Sequence, residues 1–406
     1  MLALLLVQLA NYLPPLIILP YISRVLGMDG FGTVSILFSA SAIVYIITDY
    51  GFSLSSSYWI AKHRKNKRNI AHYFGAVYCA KTFLLVLIFM SIFSFSWRGV
   101  INVDGIDELK IWAFFIAFSQ VYQPVWFFQG IEKMKNVTMF MVLSKILYMM
   151  FVFIFVKDID DVFYVFFAFA ISNMVATIIS IILVYKNGYY ISIPSRKRII
   201  RVFKESTPYF FSRASVCLYT GANAFLVGSI LGIGQAALYS SAEKLYQAGQ
   251  SLISPISQSL FPHLARTKDV GILIRIVMCG LAPMVIGCYI CWIYASDILL
   301  MIFGVGFDSA ADVLRVFMLC SIVTFITGNF GYPAFAIYGR LDIVNKSVYF
   351  SGITQLLILS GLYATAAFSI ENVALSILGV ESLVMLFRVI AFWVLCKKTK
   401  GEQYAA

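Results

Sequence analysis

The sequence has few charged residues, few histidines and no polar segment long enough to form a soluble domain. Of its 406 residues 12% are charged and 61% are hydrophobic, whereas soluble proteins average about 25% charged and about 45–50% apolar residues. The three histidines do not pair at metal-ligand spacing, and the seven cysteines all lie within or at the ends of apolar runs. This composition excludes a soluble enzyme, a disordered chain and a secreted disulfide-rich protein.

Motifs of nucleotide, protease and ester chemistry are also missing. No phosphate-binding loop, H-E-x-x-H or G-x-S-x-G sequence stands in a suitable context. Cys288 and Cys291 form a C-x-x-C inside an apolar run without a second pair, so we interpret them as core residues. The sequence therefore predicts a protein that is not an enzyme, with no catalytic residue, metal site or cofactor.

Long apolar runs are abundant. A helix rises about 1.5 Å per residue, so about 20 apolar residues cross a hydrocarbon core of about 30 Å. The runs lack the strict alternation of a membrane barrel. We predict an all-α integral membrane protein of about twelve transmembrane helices, near residues 2–22, 31–56, 71–96, 110–131, 137–156, 162–185, 208–231, 236–262, 271–295, 311–337, 346–367 and 373–395.

The net charge of +12 is an orientation signal rather than a nucleic-acid signal. Loops after even-numbered spans, with the C-terminal tail, hold twenty lysines and arginines, whereas the opposite side holds four: Arg24, Arg98, Lys110 and Lys157. Basic loops mark the cytoplasmic side. We therefore predict a multi-pass protein of the cytoplasmic membrane with both termini in the cytoplasm.

The first span carries Pro14, Pro15 and Pro20, which predict a kink or a break in its helix. It does not resemble a cleaved signal peptide, because no basic segment precedes the apolar run.

The chain divides into two halves at a basic loop. We predict an N-terminal lobe at 1–185, a cytoplasmic loop at 186–207 and a C-terminal lobe at 208–406. Leu-Gly pairs end the first and seventh spans at Gly27 and Gly232, and Ser35 and Ser240 follow at the same distance. Such an offset predicts two parallel six-helix lobes, related by a pseudo-two-fold axis along the membrane normal. Chance similarity between two apolar helix ends is the alternative.

Charged residues inside the spans are the candidate functional residues, because charge in a membrane is costly and is usually placed in the protein interior. We assign Arg275, Arg315 and Arg388 to span ends, from which long side chains reach the interface. The deeper bases indicate an anionic substrate such as a pyrophosphate, and the acids are candidates for proton or sodium coupling. The alternative for both is a structural ion pair between helices. The candidate cavity cations include Lys81, Lys145, Arg213 and Lys244, and the candidate coupling acids are Asp49, Glu243 and Glu381.

Five stretches resemble bacterial O-antigen and polysaccharide repeat-unit flippases, which belong to the multidrug/oligosaccharidyl-lipid/polysaccharide exporter superfamily. Each is moderately specific, and their order and spacing together are strongly so. They cover the first two-thirds of the chain: NYLPPLIILPYISRVLGMDGFG at 11–32, DYGFSLSSS at 49–57, QPVWFFQGIEKM at 123–134, TPYFFSRASVCLYTGANAFLVGSILG at 207–232 and YSSAEKLYQAGQSLISPISQSLFPHLAR at 239–266.

This resemblance implies twelve helices in two lobes around a central cavity, and translocation of an undecaprenyl-pyrophosphate-linked oligosaccharide from the cytoplasmic to the periplasmic leaflet. Members line the cavity mainly with spans 1, 2, 7 and 8, which on this chain favours Arg24, Asp49, Arg213, Glu243 and Lys244. Expected partners are the lipid-linked sugar, membrane lipids, a polysaccharide polymerase and a chain-length regulator, but no nucleic acid. One departure is that members usually carry a short polar segment before the first span, whereas Met1 lies almost at its start.

Two other functions compete with a flippase. A multidrug or cation antiporter of the same superfamily would favour an acidic or apolar cavity, which the excess of interior bases opposes. A membrane polysaccharide polymerase or ligase usually needs large outer loops, and the longest outer connectors here, near 97–109 and 296–310, have about fifteen residues.

Overall fold

The computed structural model describes the backbone at residues 2–94 and 106–405, and the side chains at 17–91, 94, 111–218, 220–251, 257, 260–261 and 264–397. Arg98 and residues 97–105 of the outer connector lie outside the described residues, as does the side chain of Lys110. The regular elements in the described ranges are all helical.

Sixteen α-helices occur in this part of the chain, with short 3₁₀ helices at Ile159–Asp161 and Phe307–Ala310. The α-helices are α1 Leu2–Asp49, α2 Phe52–Lys62, α3 Lys67–Ser94, α4 Ile106–Val121, α5 Val125–Gly130, α6 Met134–Phe155, α7 Val162–Lys186, α8 Arg196–Thr220, α9 Asn223–Leu231, α10 Ile233–Thr267, α11 Val270–Ile293, α12 Ala295–Phe303, α13 Ala311–Asn329, α14 Tyr332–Ala336, α15 Leu341–Ala364 and α16 Ile370–Ala405.

Most of these helices have the length and composition of membrane spans. Within the described residues, nine are long and apolar enough to cross a membrane, or ten if α8 and α9, bent by 50° at their junction, form one span. The chain is thus an all-helical, multi-pass membrane protein. Each of the twelve predicted ranges overlaps a helix, but a count of twelve and a six-plus-six layout stay predictions.

The interruption in α1 lies at a glycine and not at its prolines. The chain remains helical through Pro14, Pro15 and Pro20, so of the predicted kink or break the break is wrong, whereas Gly27 has non-helical angles of φ 67° and ψ −169°. A left-handed φ suits glycine because it has no Cβ. Gly232, the residue that the sequence pairs with Gly27, ends α9 at φ 94° and ψ 174°. The two glycines therefore share a backbone conformation as well as a sequence context.

The helices group into two compact units. Unit 1 is Met1–Cys217 with Gly221–Ala236, and unit 2 is Leu218–Thr220 with Ala237–Ala406. In unit 1, α1 packs against α3, α4, α6, α7 and α9; in unit 2, α13 packs against α11 and α16, and α15 against α16. Because α8 and α9 fall largely in unit 1, this grouping differs from the lobe boundary at 186–207, which stays a prediction.

Two of the apolar segments are broken near one end in the same way. A proline follows α4 at Pro124, and another begins α14 at Pro333. In both segments a glycine stands six residues after the proline, at Gly130 and Gly339. Proline lacks an amide hydrogen and so cannot continue the helical bonding of the preceding turn. This recurrence is a second likeness between the halves, which sequence reasoning missed.

Candidate functional site

Two candidate residues of unit 1, Asp49 and Lys81, form a buried ion pair. Lys81 Nζ lies 3.0 Å from Asp49 Oδ1, and the side chains are 1% and 3% exposed. Asp49 also accepts hydrogen bonds from Ser53 Oγ at 2.6 Å and Ser53 N at 3.3 Å. The cation predicted to bind substrate and the acid predicted to couple ions therefore neutralise each other.

This pair joins three helix ends. Tyr50 and Gly51, with φ of 44° and 74°, separate α1 from α2, and the Asp49 carboxylate then bonds to an amide in the first turn of α2, as a capping residue does. Lys81 also donates to the carbonyl of Val121 at 3.0 Å, the last residue of α4. Carbonyls at a helix end lack intrahelical partners, so the ammonium group satisfies one at the α4–α5 break.

Lys145 has a different environment. It lies near the middle of α6 and is partly buried. Its neighbour Ser144 hydrogen-bonds to Asn173 at 3.3 Å, and the ring of Tyr148, one turn further on, lies edge-on to Phe169 at 5.3 Å. Within the described part of the chain, Lys145 itself has neither an ion pair nor a hydrogen bond. Its charge is therefore not neutralised by any described carboxylate.

Arg213 lies on α8 where that helix passes α1. Tyr50 stacks on Phe210 with ring centroids 4.6 Å apart, and one turn further the guanidinium of Arg213 lies within electrostatic range of the Tyr45 hydroxyl. Arg213 is exposed, and it forms no ion pair or hydrogen bond with the residues whose side chains are described. Arg24, also predicted to line a cavity, is exposed on α1.

In unit 2, Glu243 and Lys244 are neighbours on α10 with separate surroundings. Glu243 is 7% exposed, and the Tyr239 hydroxyl, one turn earlier, lies close to its carboxylate. Lys244 is partly buried and donates to Gln247 Oε1 at 3.1 Å. Successive helical residues point about 100° apart, which explains why the two do not pair.

Arg388 was wrongly predicted to reach the membrane interface. It is 8% exposed, and it donates to Ser347 Oγ at 2.9 Å and to the Thr327 carbonyl at 3.0 Å. The carbonyl belongs to the last turn of α13, ahead of the α13–α14 break, so Arg388 holds a broken helix as Lys81 does. Glu381 is partly buried, two turns earlier on α16, and within electrostatic range of Arg388.

Arg275 and Arg315, the other two arginines assigned to span ends, both have side chains that are at least partly exposed. Arg275 is exposed. Arg315 has a side chain 36% exposed, 2.6 Å from Asp312, and its guanidinium lies over the Trp292 ring at 5.5 Å.

A polar network in unit 2 was missed by sequence reasoning. Tyr246 of α10 hydrogen-bonds to Thr324 of α13 at 2.9 Å and stacks on Phe317. Gln355 of α15 donates to Ser376 of α16 at 2.9 Å. The available signal was the spacing of hydroxyl and amide residues on these helices, because polar side chains in apolar helices bond across helix contacts. Among the described residues, no group of three or more His, Cys, Asp or Glu is placed to hold a metal ion.

Comparison with known proteins decides the family. The sequence model of a family described as "Polysaccharide biosynthesis protein" matches residues 1–268. The chain belongs to this family. This chain is also similar to a protein of Shigella dysenteriae, named as a candidate O-antigen transporter, with 34% identity over 66% of this chain and 67% of that protein. A protein of Escherichia coli (strain K12) with the same name is 27% identical over 93% of this chain and 92% of its own.

Solved structures agree with the fold of this polysaccharide family member. An inward-facing multidrug resistance MATE family transporter of the MOP superfamily is similar with a TM-score of 0.71 and 15% identity, covering 96% of each chain. The lipid II flippase MurJ, in an inward closed conformation, is similar with a TM-score of 0.69 and 14% identity, over 95% of this chain and 87% of that one. The chain therefore shares the fold of these two membrane proteins and belongs to the polysaccharide biosynthesis protein family.

Proposed function

We propose that this protein is a flippase for a lipid-linked polysaccharide repeat unit. Its substrate is an undecaprenyl-pyrophosphate-linked O-antigen or related repeat unit, which it moves from the cytoplasmic to the periplasmic leaflet of the inner membrane by alternating access. Both termini are cytoplasmic. The family and the relatives named for O-antigen transport support the substrate class, and the fold likeness to a lipid II flippase supports a lipid-linked cargo.

The observation that carries the proposal is the difference between the intramembrane cations. Lys81 and Arg388 are buried and hydrogen-bonded to helix-end carbonyls, so they serve the fold. Lys145 and Arg213 have no hydrogen bond or ion pair with any described residue. A charged side chain within a membrane is costly and therefore usually marks a functional site. Phosphate oxygens are preferred hydrogen-bond partners of lysine and arginine. We therefore assign Lys145 and Arg213 to the pyrophosphate, with Arg24 and Lys244 as further cavity cations.

Coupling to a proton or sodium gradient is part of the proposal. Asp49 is held by Lys81 and Ser53, which makes it a poor carrier of a moving ion. Glu243 is buried beside a tyrosine hydroxyl, and Glu381 lies among the polar groups of unit 2. A carboxylate in such surroundings changes its protonation when they change, so Glu243 and Glu381 are the coupling acids.

The test is complementation of a strain that lacks its own O-antigen flippase and makes the matching repeat unit. The wild-type chain restores surface polysaccharide. Lys145→Ala and Arg213→Ala, expressed at wild-type levels, do not, and the lipid-linked repeat unit accumulates in the membrane. Arg275→Ala is the matched control, because it removes an exposed arginine from a span end.

Each alternative gives a different result. A polymerase deletion leaves single repeat units on the cell surface, whereas a flippase deletion leaves none. A multidrug antiporter confers drug resistance when overexpressed and leaves polysaccharide unchanged when deleted. Full complementation by both alanine variants overturns the site assignment, and failure of the wild-type chain on its matched substrate overturns the function.

A further inference from the structure

The segment between α7 and α8 lies directly on α3. Ser192 N donates to the Ala71 carbonyl at 3.2 Å. The Nδ1 atom of His72 lies 3.0 Å from Ser192 Oγ and 3.2 Å from the Ile193 carbonyl. The approach is close enough that a Cβ built on Gly75 would lie 1.9 Å from the Ser192 carbonyl oxygen. Residues 188–195 are therefore fixed in place and do not form a free linker.

This fixed segment holds an apolar side chain outward. Ile193 is 92% exposed, a position at which a polar side chain would be expected if the segment faced only water. The next outward apolar residue is Ile200 on α8, which is 59% exposed. On the opposite face of α8, Val202 is buried and Ser206 bonds to Ser55 at 2.6 Å. Because that face of α8 is packed on the protein, Ile200 lies on the outward face, and Ile193 is exposed just before the helix begins.

Four exposed cations share the outward face of α8. With the two isoleucines they form a surface that we call the α8 basic surface: Ile193, Arg196, Lys197, Ile200, Arg201 and Lys204. Glu205 is the exposed acid beside it. Further positive charge lies along the adjoining segment, where Lys67 lies over the Tyr189 ring at 5.2 Å and Lys133 donates to Asn187.

The combination of exposed aliphatic and cationic side chains is typical of a helix face at the surface of an anionic membrane. Aliphatic groups enter the boundary between headgroups and acyl chains, and the cations bind phosphate. If Ile193 faced only water, its exposed apolar side chain would contribute no hydrophobic free energy to the stability of the fold. The surface also continues into the membrane, since α8 carries on into the segment that we assign to the seventh span.

We propose that the α8 basic surface binds the headgroups of anionic glycerophospholipids in the cytoplasmic leaflet. Arg196, Lys197, Arg201 and Lys204 contact the phosphates, and Ile193 and Ile200 contact the upper acyl chains. The proposal rests on the cytoplasmic orientation of this loop, and not on the identity of the transported substrate.

The experiment is a lipid titration of the purified full-length protein in detergent, followed by native mass spectrometry. Phosphatidylglycerol and phosphatidylcholine are compared in the wild-type protein and in a variant with Arg196→Gln, Lys197→Gln, Arg201→Gln and Lys204→Gln. The control variant carries Arg266→Gln, Lys268→Gln, Lys346→Gln and Lys397→Gln, which removes four lysines and arginines predicted to be cytoplasmic elsewhere. Each cation in contact with the bound headgroup contributes about a fivefold factor in binding, so phosphatidylglycerol affinity falls at least tenfold in the α8 variant. The four cations of the control lie on other segments of the chain, outside the α8 basic surface, so its affinity stays within about twofold.

A second variant, Ile193→Ser with Ile200→Ser, keeps every charge and alters two exposed positions, so it tests the surface if the charge variant does not fold. Phosphatidylglycerol affinity falls in this variant too. Equal affinity in the wild-type and α8 variants, or an equal fall in the control, overturns the proposal. So does displacement of phosphatidylglycerol by an acidic peptide at lower concentration, since the surface would then be a protein-docking site. Because no translocation is measured, failure here is distinct from failure of the proposed function.

Discussion

Asp49 at the end of α1 and Lys81 in the middle of α3 form an ion pair 3.0 Å long in which both groups are almost fully buried. Through Ser53 and the Val121 carbonyl it also connects α2 and α4. Four helices of unit 1 thus meet at one charged contact. A buried pair of this kind is costly to break, because the remaining partner keeps its charge without compensation.

Removal of one partner of this pair destabilises the protein more than removal of both. We expect Lys81→Met or Asp49→Ala to cost about 3–5 kcal/mol, because one buried charge is left unpaired. The double variant recovers a large part of that loss. The measurement is a double-mutant cycle on the thermal unfolding of the detergent-solubilised protein. Additive losses from the two substitutions would show that the groups do not interact.

Ser39 stabilises the break between α8 and α9. Its hydroxyl donates to the Gly221 carbonyl at 2.5 Å and accepts from Phe225 N at 3.1 Å, so it serves two backbone groups at the break. Ser39→Ala leaves both without this partner, and we expect a loss of about 1–3 kcal/mol in unfolding free energy.

Ser41→Ala is the control for Ser39→Ala. Ser41 is also buried, but among the described residues its hydroxyl bonds only to Leu37 in its own helix, at 2.7 Å, and such a bond adds little to a helix. Its replacement changes the melting temperature less than Ser39→Ala does. The same shift for both variants would contradict a special role for Ser39.

Arg388 contributes to stability and not to substrate binding. Arg388→Met leaves the Thr327 carbonyl and Ser347 without their guanidinium donor, at a cost of about 1–3 kcal/mol for each buried group. Arg275→Met, at an exposed position, serves as the control with a much smaller loss. Thermal unfolding measures both, and transport per folded molecule stays near the wild-type value in each. A stable Arg388→Met protein with lost transport would place Arg388 in the site instead.

The Arg64–Glu132 pair at the predicted cytoplasmic surface gives a small pH dependence. The two side chains lie 2.5 Å apart, and the hydrogen bond from Arg64 lowers the pKa of Glu132. A lowered carboxyl pKa stabilises the fold above the usual glutamate pKa of about 4.3, and that contribution is lost as the pH falls through the pKa of the folded state.

Glu132→Gln is the test of this pair. The melting temperature of the variant lies slightly below that of the wild type at pH 7, and the difference disappears in acid and in high salt, because exposed charges are screened. A difference that grows as the pH falls would contradict the assignment.

The sequence was sufficient for the helical membrane fold and for the family, because long apolar runs and local motifs are properties of consecutive residues. It did not reveal which charges pair. Asp49 and Lys81 are 32 positions apart, and Arg388 meets Thr327 across 61 positions. For Arg388, the short distance in sequence to the end of its predicted span indicated an exposed side chain. Helix packing decided otherwise, because a carbonyl at the end of a broken helix lay within reach.

The recurrent breaks show the same limit. Gly27 and Gly232 could be aligned from the letters alone, and their shared conformation agrees with that alignment. Pro124 and Pro333 lie in stretches with little other similarity, so their equivalent places at the ends of α4 and α13 became visible only from the helix boundaries. A proline in an apolar run does not by itself locate a break, as the unbroken helix through Pro14, Pro15 and Pro20 shows.

Translocation in a purified system tests the central claim most directly. Proteoliposomes would carry an undecaprenyl-pyrophosphate oligosaccharide in both leaflets, and a membrane-impermeant glycosidase would digest the sugar that becomes accessible outside. With the wild-type protein, nearly all of the oligosaccharide is digested, whereas with Lys145→Ala and Arg213→Ala together the inner-leaflet share stays protected. The account would be contradicted if the inner-leaflet share stayed as protected with the wild-type protein as it is in empty liposomes, even with a proton or sodium gradient applied.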